Sequence, residues 1–342
     1  MPNTQPAARF DEIRAVLREL PGPDLEAGTA ALLRQNQLIK PRGSLGRLEE
    51  LAHWMATWQG QHPPELRRPR ISIFAANHGV VRHGVSAYPQ SVTAQMVQNF
   101  VRGGAAVNQL AQAADADLRV YEMDLDNPTA DFTQGPAMSE EACARAMAYG
   151  MMAVEPGLNL LCLGEMGIGN TTSAAALCHA LFGGSAADWV GAGTGVNPEG
   201  MKRKIEAVEA GIEANPSART DALEALRCVG GLELAAIAGA VLAARLARLP
   251  VLLDGYACTA AAAVLFKLDP RMLDHCQVAH RSVEPGHTKL LEILGKQPLL
   301  DLGMRLGEGS GAALAIQIVK AAVACHTGMA TFDEAGVSGP AR

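Results

Sequence analysis

Short apolar runs alternate with helical stretches through the middle of the chain. Each run ends in polar or glycine residues, and together they predict six strands, over residues 71–74, 118–123, 158–163, 189–190, 249–253 and 277–279. Strands this apolar, with helices between them, are typical of a parallel sheet covered on both faces. Right-handed crossovers then place the strand-end loops at one edge of the sheet, where α/β proteins bind ligands.

Both ends of the chain have a helical pattern instead. Apolar residues at helical spacing predict helices over residues 7–20, 28–39, 45–58 and 309–325, and no strand is expected after residue 288. The predicted fold class is therefore α/β, a doubly wound, mostly parallel sheet with helices on both faces. We expect the terminal segments to pair as a small helical subdomain, which gives predicted boundaries of 1–58, 59–288 and 289–342.

Composition limits the possible partners and compartments. The 342 residues carry 29 Lys and Arg against 35 Asp and Glu, a net charge of −6, which argues against a nucleic-acid partner. We find no apolar run of about 18–20 residues and expect no membrane span; the first residues lack the apolar core of an export signal. Seven cysteines without a C-x-x-C pair predict buried thiols in the cytoplasm: Cys143, Cys162, Cys178, Cys228, Cys258, Cys276 and Cys325.

A glycine-rich loop follows the third predicted strand. Its residues 164–172 open a helix, and glycines at a helix start allow a phosphate to reach free N–H groups. The loop is not a Walker motif, because no Gly-Lys-Ser/Thr follows, and Thr172 stands where a dinucleotide fingerprint needs its third glycine. A tight turn capped by threonine explains the pattern equally well. The candidate phosphate-binding residues are Gly167, Gly169, Asn170, Thr171 and Thr172.

A second glycine-rich loop, residues 191–195, follows the fourth predicted strand. Two such loops at one edge of the sheet favour a single ligand that carries a phosphate and a sugar, with Gly193, Thr194 and Gly195 as candidate contacts. Lys204, on the helix behind this loop, can reach the ligand as a point charge. The commoner fate of a lone lysine is a solvated surface position.

Glu308 lies between two glycines at the start of a long apolar helix. Bare backbone on either side allows a flat ligand to approach its carboxylate, although a simple helix-start acid has the same pattern. Residues 77–79 and 84–90 mix neutral polar and apolar side chains, which suits an uncharged heterocycle. The histidines lack the spacing of metal ligands, so no metal site is predicted.

Six segments in the same order resemble one enzyme family. They are residues 40–48 (KPRGSLGRL), 76–80 (ANHGV), 84–89 (GVSAYP), 164–172 (GEMGIGNTT), 251–255 (VLLDG) and 305–313 (RLGEGSGAA). The resemblance extends from about residue 32 to 336 and points to the nicotinate-nucleotide–dimethylbenzimidazole phosphoribosyltransferases of cobalamin nucleotide-loop assembly. The family fold, a doubly wound sheet with a small helical domain from both chain ends, agrees with the independent pattern.

The resemblance implies a reaction and a set of roles. A phosphoribosyl group moves from nicotinate mononucleotide to 5,6-dimethylbenzimidazole, which gives α-ribazole 5′-phosphate and nicotinate. Glu308 would be the general base, and Glu165 and Lys204 match further charged active-site positions. The two glycine loops would hold the nucleotide phosphate, and the base would be bordered by Ser86, Tyr88, Met96 and Leu306. The family also implies a homodimer and no cofactor. No metal is expected, because the leaving pyridinium is already activated.

Two alternatives from other classes stay open at this point. The first is an NAD-type Rossmann oxidoreductase, which needs an acid about 20 residues after a complete G-x-G-x-x-G loop in the first βαβ unit. The best glycine loop here lies in mid-chain and lacks its third glycine. The second is a non-catalytic nucleotide sensor that uses the same edge of the sheet and binds the mononucleotide without releasing nicotinate.

Overall fold

Five parallel strands form the centre of the fold. The structure is a computed structural model that describes residues 9–18 and 20–339. The strands are β1 (Pro69–Ala75), β2 (Asp117–Glu122), β3 (Leu160–Met166), β4 (Val251–Leu253) and β5 (Cys276–Val278). Their order in the sheet is β2-β1-β3-β4-β5, and every neighbouring pair is parallel. The predicted doubly wound α/β fold is confirmed.

Successive side chains of the inner strands point into two different cores. In β1, Ile71 and Ile73 pack into one core, whereas Phe74 packs into the other. In β3, the same division separates Cys162 from Leu163. Because side chains alternate across a strand, two apolar cores require helices on both faces of the sheet.

Helices fill the connections and cover both faces. They are α1 (Phe10–Val16), α2 (Leu25–Gln37), α3 (Arg47–Gln59), α4 (Val92–Arg102), α5 (Ala106–Ala113), α6 (Glu140–Met151), α7 (Asn170–Phe182), α8 (Pro198–Ala214), α9 (Ala222–Val229), α10 (Leu232–Leu246), α11 (Tyr256–Leu268), α12 (Pro285–Leu294), α13 (Ser310–Gly328) and α14 (Phe332–Ala335). Short 3₁₀ helices lie at Gly79–His83, Ala186–Asp188, Pro216–Arg219 and Pro270–Leu273.

The two faces carry different sets of helices. On one face α13 contacts β1, β3 and β4, with α3 and α5 packed beside it. On the other face α10 contacts β1 and β3, and α6 and α11 pack against α10. Helix α2 packs on α3, but α1 contacts α6 on the opposite side of the sheet. The division of the chain into a central domain and a small helical subdomain stays a prediction.

One predicted strand is wrong and one predicted helix is shorter than expected. Residues 189–190 form no strand: Trp189 follows a 3₁₀ helix, is fully buried, and donates its indole N–H to the Gly183 carbonyl at 2.8 Å. Its apolar character therefore serves packing. Of the helix predicted over residues 7–20, the structure has α1; residues 7, 8 and 19 lie outside the described part.

Helix α13 is the longest apolar helix among the described residues. It runs for 19 residues and is apolar enough, by length and composition, to cross a membrane. The sequence predicts an apolar helix here over residues 309–325, slightly shorter than the helix observed. Half of its most apolar stretch is buried inside the protein, where the helix packs on the sheet.

The cysteines agree with expectation except at one position. All seven are free thiols and six are buried, but Cys325 is partly exposed.

Candidate active site

A large cavity opens at the carboxyl ends of the strands. Its volume is about 770 Å³, within the range of small-molecule sites. In a sheet of this order the connections leave β1 and β3 in opposite directions, and the crevice between their carboxyl ends is where such folds bind ligands. Glu165, near the end of β3, lies in the cavity wall with residues 305–308 of the loop before α13.

Most of the predicted site residues line this one cavity. Those that do are Tyr88, Met96, Glu165, Gly167, Asn170, Thr171, Gly193, Thr194, Leu306 and Glu308. Five predicted residues lie outside the lining: Ser86, Gly169, Thr172, Gly195 and Lys204. Segments far apart in sequence thus meet at one place, while their individual roles stay predictions.

Glu308 lies in an unusual stretch of backbone. Gly307, Glu308 and Gly309 all have left-handed φ angles, of 81°, 62° and 75°. Such a conformation is costly for a residue with a side chain and persists only where the surroundings hold it. Glu308 is 7% exposed, and burial together with the nearby Asp254 charge raises the pKa of its carboxyl group to about 7. A carboxylate with this pKa is suited to act as a base near neutral pH.

Glu165 shares the cavity with Glu308, and its pKa is raised further than that of Glu308. Burial raises its pKa to about 8, and the charges of Asp254, Glu233 and Glu308 act in the same direction. A hydrogen bond from the Asn170 side-chain amide opposes them. Without a cation nearby, this carboxyl group is therefore mostly protonated at neutral pH, because like charges in a shared site disfavour ionisation.

Asp254 connects β4 to the start of α13. Its two carboxylate oxygens accept the backbone N–H groups of Gly309 at 3.1 Å and Ala312 at 2.9 Å. It is 1% exposed, and burial raises its pKa. The His280 Nε2 atom lies 3.7 Å from one of its oxygens. Sequence reasoning did not assign Asp254 a role, although Asp254 directly follows a predicted strand.

The loop between β3 and α7 is tightly packed. Gly169 precedes α7 with a φ of 95°, and a Cβ there would lie 2.7 Å from Val81 Cγ2. The Ile168 N–H donates to Thr93 Oγ1 at 3.1 Å, and the Asn170 and Thr172 amides donate to carbonyls of the same loop. The loop is thus a tight turn, and only part of its backbone remains for a ligand.

Lys204 is neither a solvated lysine nor a residue of the cavity wall. It is fully buried on α8, and its Nζ donates to the Gly191 carbonyl at 2.7 Å and to Thr171 Oγ1 at 2.9 Å. Burial lowers its pKa to about 8. It therefore ties the second glycine loop to α7. In the same loop the Gly193 N–H donates to Glu284 Oε1 at 2.7 Å.

The residues predicted to border a base divide into two groups. Tyr88 and Leu306 are 54% and 56% exposed at the cavity, whereas Met96 is partly buried in its wall. Ser86 lies behind them, with its hydroxyl 3.1 Å from Thr194 Oγ1. This contact joins the segment after β1 to the second glycine loop.

Sequence reasoning missed several residues of the cavity wall. Arg305 is exposed and donates to the Gly193 carbonyl at 3.1 Å, and Glu284 and His280 line the same wall. His280 directly follows the last predicted strand, a signal that was available. Glu233 lies outside the cavity wall but raises the pKa of Glu165, and no sequence signal marked it. It is buried in α10, where its carboxylate lies 2.8 Å from His78 Nε2.

No metal-binding cluster is found in the part of the chain that the structure describes. Among residues 9–18 and 20–339, no three or more His, Cys, Asp or Glu side chains are grouped so that they could hold an ion. The expectation of metal-free chemistry stays a prediction.

Together these features define an α/β protein with a ligand cavity at the carboxyl edge of a parallel sheet, walled by glycine loops and buried carboxyl groups. Comparisons with known proteins narrow this class. A family model described as phosphoribosyltransferase matches residues 20–337. A nicotinate-nucleotide–dimethylbenzimidazole phosphoribosyltransferase from Rhizobium etli is 58% identical over 330 residues, which cover 96% of this chain and 97% of that protein.

Two further comparisons agree. A protein of the same name from Brucella canis is 56% identical over 329 residues, 96% of this chain and 97% of that protein. The crystal structure of CobT from Thermus thermophilus matches with a TM-score of 0.85 at 46% identity, and covers 92% of this chain and 100% of that chain. The chain therefore belongs to the nicotinate-nucleotide–dimethylbenzimidazole phosphoribosyltransferase family. This confirms the resemblance found in its sequence and supports a phosphoribosyltransferase, not an oxidoreductase or a non-catalytic sensor.

Proposed function

We propose that this protein transfers the phosphoribosyl group of nicotinate mononucleotide to 5,6-dimethylbenzimidazole. The bond between the sugar's anomeric carbon and the pyridinium nitrogen breaks, and a bond to a benzimidazole nitrogen forms with inversion. The products are α-ribazole 5′-phosphate and nicotinate, as in cobalamin nucleotide-loop assembly. The observation that carries the proposal is the position of Glu308, a buried carboxyl group with a pKa of about 7, in the wall of a cavity of about 770 Å³.

Glu308 acts as the general base in this proposal. A neutral benzimidazole that attacks through one nitrogen becomes cationic unless the proton on its other nitrogen leaves. A carboxylate beside that N–H removes the proton, which contributes roughly 10²–10⁴-fold in rate. Because the pKa of Glu308 is raised to about 7, a useful fraction is ionised at neutral pH and the group is basic enough to accept the proton.

Glu165 stabilises positive charge. The substrate carries a quaternary pyridinium nitrogen, and positive charge shifts onto the ribose as the bond to that nitrogen breaks. A cation in the cavity favours the ionised form of Glu165, whose pKa of about 8 reflects burial beside Asp254, Glu233 and Glu308. The carboxylate so formed then stabilises the charge that develops in the transition state.

The glycine loops and Arg305 hold the nucleotide phosphate. Gly167, Asn170, Thr171 and Thr194 line the cavity, and Arg305 lies beside Gly193, so a phosphate there meets hydroxyl and amide donors and one guanidinium group. Lys204, Gly169, Thr172 and Gly195 act indirectly in this scheme, through the shape of the two loops. The benzimidazole lies near three other residues of the lining, Tyr88, Met96 and Leu306, and Ser86 joins their segment to Thr194.

We propose further that the enzyme acts in the cytoplasm as a homodimer, without nucleic-acid or membrane partners and without a cofactor. Seven free thiols fit a reducing compartment. On α2, Leu25, Leu32 and Leu33 are 75%, 51% and 60% exposed, and an apolar face of this kind suits contact with a second copy. Sedimentation of the purified protein tests the dimer.

One assay tests the reaction. Nicotinate mononucleotide is incubated with the protein and, in turn, dimethylbenzimidazole, benzimidazole, adenine and a phenol, and nicotinate and the new nucleotide are resolved by chromatography. The proposal predicts equal amounts of nicotinate and α-ribazole 5′-phosphate with dimethylbenzimidazole. A sensor would bind the mononucleotide and release no nicotinate with any base, which would contradict the proposal.

A further inference from the structure

The first turn of α13 is capped by a residue from another element. The N-cap residue of this helix, Gly309, has no side chain, so it cannot satisfy the free N–H groups that follow it. Asp254, at the end of β4, takes that role with its two oxygens, on the N–H groups of Gly309 and Ala312. The first of these is the amide that directly follows Glu308.

The capped backbone is the part of the chain that needs support. Glu308 has a φ of 62°, which costs free energy for a residue with a side chain. Within the turn, Ser310 donates its hydroxyl and its N–H to the carbonyl of Gly307, which precedes Glu308, at 2.7 and 3.0 Å. These local bonds close the turn, and the bonds to Asp254 tie it to the end of β4. The sheet also contacts this region through Cys162, whose Sγ lies 4.0 Å from the Ala312 carbonyl.

The charged groups around Glu308 come from several elements. Asp254 follows β4, Glu165 ends β3, His280 follows β5, and Arg305 precedes Glu308 in the same loop. Of these, Asp254 hydrogen-bonds to the turn itself. Burial is the main cause of the raised pKa of Glu308, and the charge of Asp254 is the second cause. Asp254 does not line the cavity.

We propose that Asp254 is a positioning residue for Glu308: it holds the left-handed turn at the start of α13 so that the Glu308 carboxylate faces the cavity. The inference rests on the proposed function, in which Glu308 is the general base. Asp254 lies outside the cavity lining and contacts the turn that carries Glu308; its charge also raises the pKa of Glu165, so the double variant is needed to isolate its effect through Glu308.

The test compares Asp254→Asn, Glu308→Gln and the double variant. Asparagine keeps the size of Asp254 but retains only one carbonyl oxygen and no charge. We expect kcat to fall roughly tenfold, because a displaced base is less effective, and the acidic limb of the pH profile to move to lower pH. In the Glu308→Gln background the same change should have little further effect on kcat, since residues that act as a unit are not additive.

Asp221 provides a matched control. It caps α9, away from the cavity, and accepts the N–H groups of Leu223 at 2.9 Å and Glu224 at 3.0 Å. Asp221→Asn removes the charge of a helix cap and its ion pair with Arg14, and should leave kcat and the pH profile unchanged. If Asp254→Asn does not fold, Asp254→Ser replaces it, because a hydroxyl also accepts from a backbone amide.

The outcomes separate this inference from the proposed function. Nicotinate release by the wild-type protein and its loss in Glu308→Gln test the function alone. Given both, the inference is overturned if the Asp254 variant keeps the wild-type acidic limb, or if its effect on kcat is the same in the presence and absence of Glu308. A shifted limb and a non-additive double variant support it.

Discussion

The backbone of Gly164 lies directly against that of Gly309. A Cβ on Gly164 would lie 2.6 Å from the Gly309 Cα, closer than carbon atoms can approach. Glu165 follows the first glycine and Glu308 precedes the second, so this contact brings the two carboxyl groups to one cavity. Glu165 and Glu308 are 143 positions apart, by 308 − 165. They share a site because Gly164 and Gly309 have no side chains to keep the two backbones apart.

The sharpest prediction concerns Glu308. Glu308→Gln keeps the size of the side chain and removes its basic oxygen. With dimethylbenzimidazole we expect kcat to fall by roughly 10²-fold or more, while both substrates still bind, as follows when a general base is lost. Steady-state kinetics from pH 6 to 9 measure this loss, and a base that attacks without losing a proton should be affected less.

Glu206 serves as the control for this variant. It is an exposed glutamate on α8, outside the cavity wall, so Glu206→Gln should leave kcat unchanged. If Glu308→Gln retains near-full kcat across the pH range, Glu308 is only a helix-start acid, and another group or water takes the proton.

The same carboxyl group makes stability depend on pH. Its pKa is about 7 in the folded protein against 4.5 for a free glutamate, so the folded state holds an extra proton between these values. The stability contributed by that proton is complete below pH 4.5 and is lost as the pH rises through 7. Glu308→Gln should therefore be more stable than the wild type at pH 8, by about 3 kcal/mol, and have no such advantage at pH 4.5. Urea unfolding at both pH values measures it; an equal difference at both would contradict the prediction.

Arg305 tests the placement of the phosphate. Arg305→Gln removes the guanidinium charge beside Gly193. We expect the KM for nicotinate mononucleotide to rise roughly tenfold, since charge-assisted hydrogen bonds are about twice as strong as neutral ones, with little change in the KM for the base. Arg281→Gln is the matched control, because Arg281 pairs with Asp301 and lies outside the cavity wall. Equal effects on both substrates would place the phosphate elsewhere.

Turnover should not require a metal ion. The pyridinium leaving group departs as neutral-ring nicotinate, so no Lewis acid is needed to activate it. Activity measured with and without EDTA at fixed ionic strength should be equal. A large loss that magnesium restores would contradict this mechanism and leave the family assignment untouched.

The strands and their loops could be predicted because their signals are local. An apolar run followed by glycine or polar residues marks a buried parallel strand, and five of six such runs are strands. The exception, residues 189–190, is only two residues long, and a short apolar run does not distinguish a strand from a packed tryptophan. The family motifs supplied the candidate roles of Glu165 and Glu308.

The remaining features depend on contacts that sequence spacing does not contain. Asp254 caps a helix that begins 56 positions later at Ser310, by 310 − 254. Lys204 has the polar surroundings of a surface lysine in sequence, yet its ammonium group is buried by the loop that it binds. Both facts depend on how distant segments pack, which local pattern does not specify.

The position of α13 also affects how the protein is made. This helix follows all five strands in the chain and covers the face that carries Ile71, Ile73 and Cys162. During synthesis we expect the part of that face that α13 covers to stay exposed until residue 328, the end of α13, has left the ribosome. Exposed apolar surface of this kind is what chaperones shield, and Glu308 is added in the same late step.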